Sequence, residues 1–249
     1  MKEKSIVVLF VFAVCLLTRL FFVNSNVFFF DGDEAIVALM GLDILEGNFP
    51  VYFYGQNYGL SIIEAALISL GVLVFGAGML AIKIPMLVFW SGAVALSALA
   101  FFKLSRQNKL ATALFVLVIV LSPTWLVWSM KARGGYLTSF FFSSLIVYLL
   151  VQYKDRLNPI LWMLVGVSMI VVYEAQPIWL PCLVPIVAFF GWKQVGNLVK
   201  KLQSLAGLAA GSISSFLLFA WIKSTIQVVY NTPQPNFGKR LGLIGQIPE

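Results

Sequence analysis

Eight apolar stretches, each roughly 15 to 20 residues long, follow one another along this chain of 249 residues. They lie at about 5–23, 61–76, 84–102, 110–129, 136–153, 159–173, 178–192 and 203–222. A helix of about 20 apolar residues is long enough to cross the hydrocarbon core of a bilayer. Only 11% of the residues are charged, whereas a soluble domain carries about a quarter. The pattern therefore predicts an all-α, polytopic integral membrane protein. It argues against a soluble enzyme, a disordered chain and a disulfide-stabilised secreted scaffold.

The residue counts exclude several kinds of chemistry. The chain has no histidine, so no imidazole is available as a general base, metal ligand or proton relay. Both cysteines, Cys15 and Cys182, lie inside apolar runs, where packing is the expected role. The net charge of +7 is typical of basic loops in a membrane protein and does not indicate nucleic acid. The first run, 5–23, carries Arg19 and lacks a small-x-small cleavage site, so we interpret it as an uncleaved span.

The basic residues predict the orientation of the spans. They form four clusters: Lys2 and Lys4; Lys103, Arg106 and Lys109; Lys154 and Arg156; and Lys193, Lys200 and Lys201. All four fall on the cytoplasmic side, as the positive-inside rule requires, if exactly one stretch between Leu60 and Lys103 does not cross. The stretch 61–76 is the best candidate, because it would extend about 24 Å, less than the ~30 Å core. The sequence thus predicts seven transmembrane helices, a re-entrant or juxtamembrane helix at 61–76, and an inside N-terminus.

This topology defines the domain organisation. A transmembrane module covers 1–222, with a first outer loop at 24–60, and residues 223–249 begin a further outer loop. The outer face then also holds the Lys131–Gly135 loop and the turn Glu174–Pro177. Because the chain stops within a predicted outer loop, we expect it to be the N-terminal part of a longer protein or a truncated sequence.

The first polar segment, Phe28–Ala35, places the carboxylates of Asp31, Asp33 and Glu34 within four residues. An aspartate here is suited to cap the next helix, predicted at 33–46, whose spacing is typical of an amphipathic helix on the membrane. One interpretation is a capped interfacial helix with solvated acids. The other is a base or metal site at the membrane surface, with Asp31 and Asp33 as candidate metal ligands.

The second polar segment, Tyr52–Gly59, has three tyrosines, two amides and two glycines. Tyrosine and asparagine side chains form hydrogen bonds with hydroxyl groups, and aromatic rings stack on sugars, so this composition suits a polar ligand. An interfacial belt of tyrosines is the alternative, but it leaves the amides between two glycines unexplained. The candidate ligand-binding side chains are Tyr54, Gln56, Asn57 and Tyr58.

The third polar segment, Trp128–Tyr136, places two cations, Lys131 and Arg133, on the predicted outer face, against the positive-inside pattern. Such cations suit an anionic head group or a phosphate, and a salt bridge to the first outer loop is the alternative. The turn between the two shortest spans adds Glu174 and Gln176. Because these spans are short, the turn is expected below the outer surface, either as the floor of a cavity or as a shallow turn between tilted helices.

At these segments the sequence resembles the GT-C superfamily of membrane glycosyltransferases, and most of all the bacterial protein O-mannosyltransferase and aminoarabinose transferase type. The likeness is carried by DGDEA at Asp31–Ala35, LDILEGNFPVYFYGQNYG at Leu42–Gly59, SPTWLVWSMKARGGY at Ser122–Tyr136 and, less tightly, EAQPIWLPCLVP at Glu174–Pro185. The resemblance implies a fold that begins with seven spans. It also implies transfer of a sugar from a polyprenyl-phosphate donor to an acceptor glycan, lipid or protein, on the outer face of a bacterial plasma membrane.

The resemblance also implies roles for individual residues. Asp33 matches the family's first-loop catalytic acid, a general base for the acceptor hydroxyl, and Glu34 is the neighbouring acid. Lys131 and Arg133 lie in the second outer loop, where they are candidates to bind the carrier phosphate. Relatives that use a divalent cation carry an acid in the second outer loop, and Lys131–Tyr136 contains none, so a metal stays an open question. The alternatives are a lipid or solute transporter or flippase, and a non-catalytic lipid-binding remnant of a transferase.

Overall fold

The computed structural model describes residues 2–23, 30–56, 58–153, 158–193 and 198–225, and in these ranges the chain is all-helical. The predicted all-α class is confirmed. The helices are α1 Lys2–Val23, α2 Gly32–Leu45, α3 Ile62–Phe75, α4 Met79–Leu104, α5 Lys109–Leu121, α6 Pro123–Trp128, α7 Tyr136–Gln152, α8 Pro159–Ala175, α9 Leu180–Lys193 and α10 Leu198–Thr225, with a 3₁₀ turn at Pro177–Trp179. Asn57 and the segment 226–249 lie outside the described residues.

Helix α2 begins at a capping box. The Asp31 carboxylate accepts a hydrogen bond from the backbone N–H of Glu34, and the Glu34 side chain accepts one from the N–H of Asp31. The observed bounds differ by one residue at each end from the predicted helix 33–46. The interpretation of a capped helix with solvated acids is wrong for Glu34, whose side chain is buried. The reason is tertiary packing, since α2 lies against α3 and its Val37 and Met40 join the main core.

Two other predicted helices differ in detail from the structure. Helix α3 has 14 residues, about 21 Å, and ends before Gly76, whose positive φ of +75° ends the helix. The predicted continuous helix 110–129 is broken at Ser122, because Pro123 cannot continue α5 and instead opens α6. At the other predicted turn, Glu174 belongs to the last turn of α8 rather than to the connection.

Glycines allow α8 and α10 to pack closely. A Cβ on Gly207 would lie 2.3 Å from the carbonyl oxygen of Pro159, and one on Gly211 would lie 2.2 Å from that of Met163. Small residues that bring two helix backbones together are typical of helix pairs in membranes. The packing therefore fixes α10 along the length of α8.

Polar contacts show which helix ends lie together. Lys223, near the end of α10, pairs with Glu174, near the end of α8, at 2.6 Å. We call this the polar end of the molecule. At the opposite end, Lys103 of α4 donates a 2.6 Å hydrogen bond to the carbonyl oxygen of Gln152, at the end of α7. Helices α4 and α7 therefore run away from the polar end, and α8 and α10 run towards it.

Among the described residues, two helices, α4 and α10, are each long and apolar enough to cross a membrane. Five shorter apolar elements of 10 to 17 residues accompany them. Helix α10 exposes large apolar side chains, such as Leu217 at 61% and Trp221 at 58%. Exposed apolar faces of this kind mark a surface that is covered by lipid or by another protein. The two long helices alone give weak support to membrane association, and the apolar faces agree with it.

Candidate functional site at the polar end

The polar end brings together the segments that the sequence placed on one face. The backbone N–H groups of Gly59 and Leu60 both donate to the carbonyl oxygen of Glu174, at 3.1 Å. The Gln176 amide donates to the carbonyl oxygen of Gly134 at 3.1 Å. The loop after α2, the loop before α7 and the end of α8 therefore form one connected layer. Two sets of charged side chains lie here. The open set, Asp31, Asp33 and Arg133, is partly exposed, and the sealed set, Glu34, Lys83 and Glu64, is buried.

Asp31 binds both cations of the third segment. Its Oδ2 accepts a 2.7 Å hydrogen bond from Lys131 Nζ, and Arg133 donates to the same oxygen from Nε and from its terminal nitrogen Nη2. Partial burial alone would raise the pKa of Asp31, but the hydrogen bonds from Lys131 and Arg133 outweigh it and lower the pKa to about 2. The salt bridge to the first loop, the alternative interpretation of the cations, is therefore present. It leaves Arg133 28% exposed, with its guanidinium 4.8 Å from the centre of the Trp128 ring.

Asp33 is an exposed carboxylate of this layer. Its side chain is 53% exposed, and its Oδ2 lies 3.9 Å from Nε of Arg133. The hydrogen bond from Arg133 to Asp31 is the main cause that raises the pKa of Arg133, and the charge of Asp33 adds to it. Asp33 is therefore accessible to solvent and has the cation of Arg133 as its neighbour.

Glu34, the second predicted catalytic acid, faces the interior. Its side chain is fully buried and pairs with Lys83 of α4 at 2.5 Å. Burial raises the pKa of Glu34, and the Lys83 ammonium opposes that rise. Sequence reasoning missed Lys83. The sequence feature that could have indicated a role for Lys83 is its position as a single lysine just before an apolar run, since an ionisable group there needs a partner.

Glu64 is a second residue, after Lys83, that sequence reasoning did not assign to the site. It is fully buried on α3 and accepts hydrogen bonds from the N–H of Arg133 at 3.1 Å and from the N–H and hydroxyl of Thr138 at 3.2 and 3.3 Å. It therefore holds the backbone of the loop that carries the cations. The sequence feature that could have indicated a role for Glu64 is its position as an acid inside a short apolar helix.

Glu174 is enclosed rather than open. It is 3% exposed, accepts a 2.9 Å hydrogen bond from the Tyr52 hydroxyl, and pairs with Lys223. Burial and the neighbouring carboxylate both raise the pKa of Tyr52, and Lys223 lies 5.1 Å from the centre of its ring. Glu174, on α8, thus connects to the second polar segment through Tyr52 and to α10 through Lys223.

The predicted ligand-binding side chains of the second segment are in different surroundings. The Tyr54 hydroxyl donates to the Asp43 carboxylate, so Tyr54 is held within the protein. Gln56 is half-buried, and its N–H donates to the carbonyl oxygen of Phe53 at 3.0 Å. Tyr58 is 55% exposed and presents its ring to the outside. Asn57 lies outside the described residues.

The described residues include no group of three or more His, Cys, Asp or Glu side chains placed to hold a metal ion. Asp31, one of the two candidate metal ligands, already binds two cations, which would repel a divalent ion. The arrangement therefore suits an anionic ligand at Arg133 better than a metal at Asp31 and Asp33. No protein-family model, curated protein or solved structure matches the chain at a significant level.

Proposed function

We propose that this chain is the membrane-embedded module of a glycosyltransferase that moves a sugar from a polyprenyl-phosphate donor to an acceptor on the outer face of a bacterial plasma membrane. One observation carries the proposal. The exposed carboxylate of Asp33 lies next to the partly exposed guanidinium of Arg133, with Lys131 close behind. A base beside a phosphate-binding cation is the minimum that such a transfer requires.

A seven-span topology is part of the proposal. Its crossings are α1, α4, α5 with α6, α7, α8, α9 and α10. The opposite directions of α7 and α8, and the short α3, support it, and so do the apolar outer faces. In this topology the polar end, with Asp33 and Arg133, is the outer face. The N-terminus lies in the cytoplasm.

The chemistry follows from the two neighbouring groups. Asp33, as a carboxylate, takes the proton of an acceptor hydroxyl while that oxygen attacks the anomeric carbon of the sugar. The bond between the anomeric carbon and the phosphate oxygen breaks, and the lipid phosphate leaves with the electron pair. Arg133 stabilises the negative charge that grows on this phosphate, in surroundings less polar than water.

Asp31 sets the strength of the phosphate site. Before the polyprenyl-phosphate donor binds, Arg133 and Lys131 both pair with Asp31, whose single negative charge offsets one of their two positive charges. Arginine carries five N–H donors, so Arg133 keeps some for a phosphate while it binds Asp31. Lys131 is only 8% exposed, so its positive charge acts on the phosphate from within the protein. The exposed Tyr58 and the half-buried Gln56 are placed to orient the sugar or the acceptor.

The buried acids act as supports in this proposal. Glu34 anchors the first turn of α2, which carries Asp33, and Glu64 anchors the loop that carries Arg133. Glu174 and Gln176 fix the layer from below. None of these four side chains needs to contact the substrate for the transfer to occur.

The test is donor turnover by the chain in proteoliposomes that contain a membrane extract as acceptor. Polyprenyl phosphates that carry different radiolabelled sugars are supplied, and released polyprenyl phosphate is measured. We expect release with at least one donor, and a KM for this donor about tenfold higher in Arg133→Gln, which loses charge-assisted hydrogen bonds. Arg106→Gln removes an exposed arginine from the turn after α4 and serves as the control.

Three outcomes would contradict the proposal. Equal KM values for Arg133→Gln and Arg106→Gln would remove the phosphate role. Movement of intact donor across the bilayer without release of polyprenyl phosphate would favour the transporter alternative. Binding of donor with neither release nor movement would favour the lipid-binding remnant.

A further inference from the structure

A cavity of about 540 Å³ lies between α8, α9 and α10, far from the polar end. Its lining includes Lys201 and Ser204, near the start of α10, whereas Lys223 reaches Glu174 near the other end of the same helix. Lys201 and Lys223 are about 33 Å apart along the helix axis, roughly the thickness of a membrane core. The cavity is therefore separate from the site at the polar end.

Two polar groups in the cavity lining lack an explained role. Lys201 is the charged side chain among the described residues that line the cavity. Ser204 is 4% exposed, and its hydroxyl oxygen is buried without a hydrogen-bond partner in the described structure. A buried hydroxyl without a partner is costly, so a ligand oxygen at this position would offset that cost. Residues three positions apart on a helix are neighbours, so cation and hydroxyl can serve one ligand group.

The rest of the lining is apolar and includes Trp162, Trp192, Leu205 and Leu208. Trp192 is 85% exposed, as expected for a tryptophan at a membrane–water interface. Lys193 and Lys200 add positive charge near Lys201, while Glu174 is the only acid between Arg156 and Pro248. This end of α8–α10 therefore attracts an anion, and its apolar walls suit the first carbons of a lipid chain.

We propose that this cavity binds the head group of an anionic membrane phospholipid, with the phosphate at Lys201 and Ser204 and the first acyl carbons along Trp162 and Leu205. The volume is in the range of ordinary ligand pockets, about 300 to 1,000 Å³, and takes the head group while the chains extend into the bilayer. The inference requires the membrane location but not glycosyl transfer, so each can fail without the other.

The experiment is native mass spectrometry of the whole chain, released from detergent micelles that contain equal amounts of phosphatidylglycerol and phosphatidylcholine. We expect one retained phospholipid, with phosphatidylglycerol preferred. Lys201→Gln should lower that preference about fivefold, the usual effect of one lysine near an anionic surface. Lys200→Gln should lower it much less, because the side chain of this adjacent lysine does not line the cavity.

A second variant tests the cavity itself. Ser204→Leu fills the space and should reduce retention of both lipids, and a melting curve in the same detergent shows whether the variant is folded. Equal retention of the two lipids by the unmodified chain would overturn the proposal. So would equal losses in Lys201→Gln and Lys200→Gln, which would indicate general attraction to a basic surface. Replacement of the phospholipid by an equimolar polyprenyl phosphate would overturn the phospholipid assignment.

Discussion

Asp33 and Glu34 are adjacent and carry the same charge, yet their surroundings are opposite. The Asp33 side chain is 53% exposed beside Arg133, whereas the Glu34 side chain is fully buried against Lys83. Successive residues on a helix point about 100° apart, so one faces outward when the other faces the core. A run of acids in a sequence can therefore combine one solvent-exposed group with one that is buried in an ion pair.

The same contrast extends across the polar end. The sealed set, Glu34, Lys83 and Glu64, is buried and makes fixed hydrogen bonds to the structure around it. The open set is Asp31, Asp33 and Arg133, whose side chains are 24%, 53% and 28% exposed. We expect substitutions in the sealed set to lower the free energy of unfolding, and Asp33 to affect transfer alone.

The largest effect on stability is expected for Lys83→Met. This change leaves the buried Glu34 without its ion partner, and an unpaired buried charge costs about 3 to 5 kcal/mol. Thermal unfolding in detergent measures the loss. The control is Lys109→Met, an exposed lysine at the start of α5, which should change stability by no more than about 0.5 kcal/mol. Similar melting of the two variants would show that the Glu34–Lys83 pair does not hold the fold.

Glu64→Gln is expected to have a smaller effect. An amide replaces one of two accepting oxygens with an N–H₂ group, so hydrogen bonds from Arg133 or Thr138 are lost. A buried donor left without its acceptor costs about 1 to 3 kcal/mol, and we expect the free energy of unfolding to fall by about 1 to 3 kcal/mol. Because Glu64 positions the Arg133 loop, the KM for the donor should rise as well. A stability loss with an unchanged KM would limit Glu64 to the fold.

Asp31→Asn should lower the free energy of unfolding by about 2 kcal/mol at pH 7, and this loss should depend on pH. The pKa of Asp31 in the folded protein is about 2, below its ordinary value of 3.8. The carboxylate therefore stabilises the fold above about pH 4, and this contribution disappears as the pH falls through 2. Asparagine is also a good helix cap, so the loss reports the ion pair. A stability difference that stays constant from pH 7 to pH 2 would contradict this account.

Local signals in the sequence were sufficient for part of the fold. A cap residue followed by apolar spacing placed α2 within one residue of its observed bounds, because capping depends on neighbours in sequence. The length of 61–76 predicted a short α3. Charge placement predicted that the polar segments share one face. The hydrogen bonds from Arg133 to Asp31 and from Gln176 to Gly134 show that these segments lie together.

Contacts between residues distant in sequence determine the features that local sequence patterns did not predict. The burial of Glu34 depends on Lys83, 49 residues away. Tyr54 looked available for a ligand, but the fold brings Asp43 within hydrogen-bonding reach of its hydroxyl. The break at Ser122 went unpredicted because a proline can either kink a helix or begin a new one. The errors at Glu34 and Tyr54 concern which partner a side chain meets, and only the tertiary structure supplies that information.

The most direct test of the central claim measures sugar transfer and thermal unfolding together in Asp33→Asn. Glu46→Gln, which removes an exposed acid next to the other end of α2, is the matched control. We expect Asp33→Asn to unfold at the same temperature as the unmodified chain and to lose about 100- to 10,000-fold in transfer rate, as for a general base. Glu46→Gln should retain both. Full transfer by Asp33→Asn would contradict the assignment of Asp33 as the base.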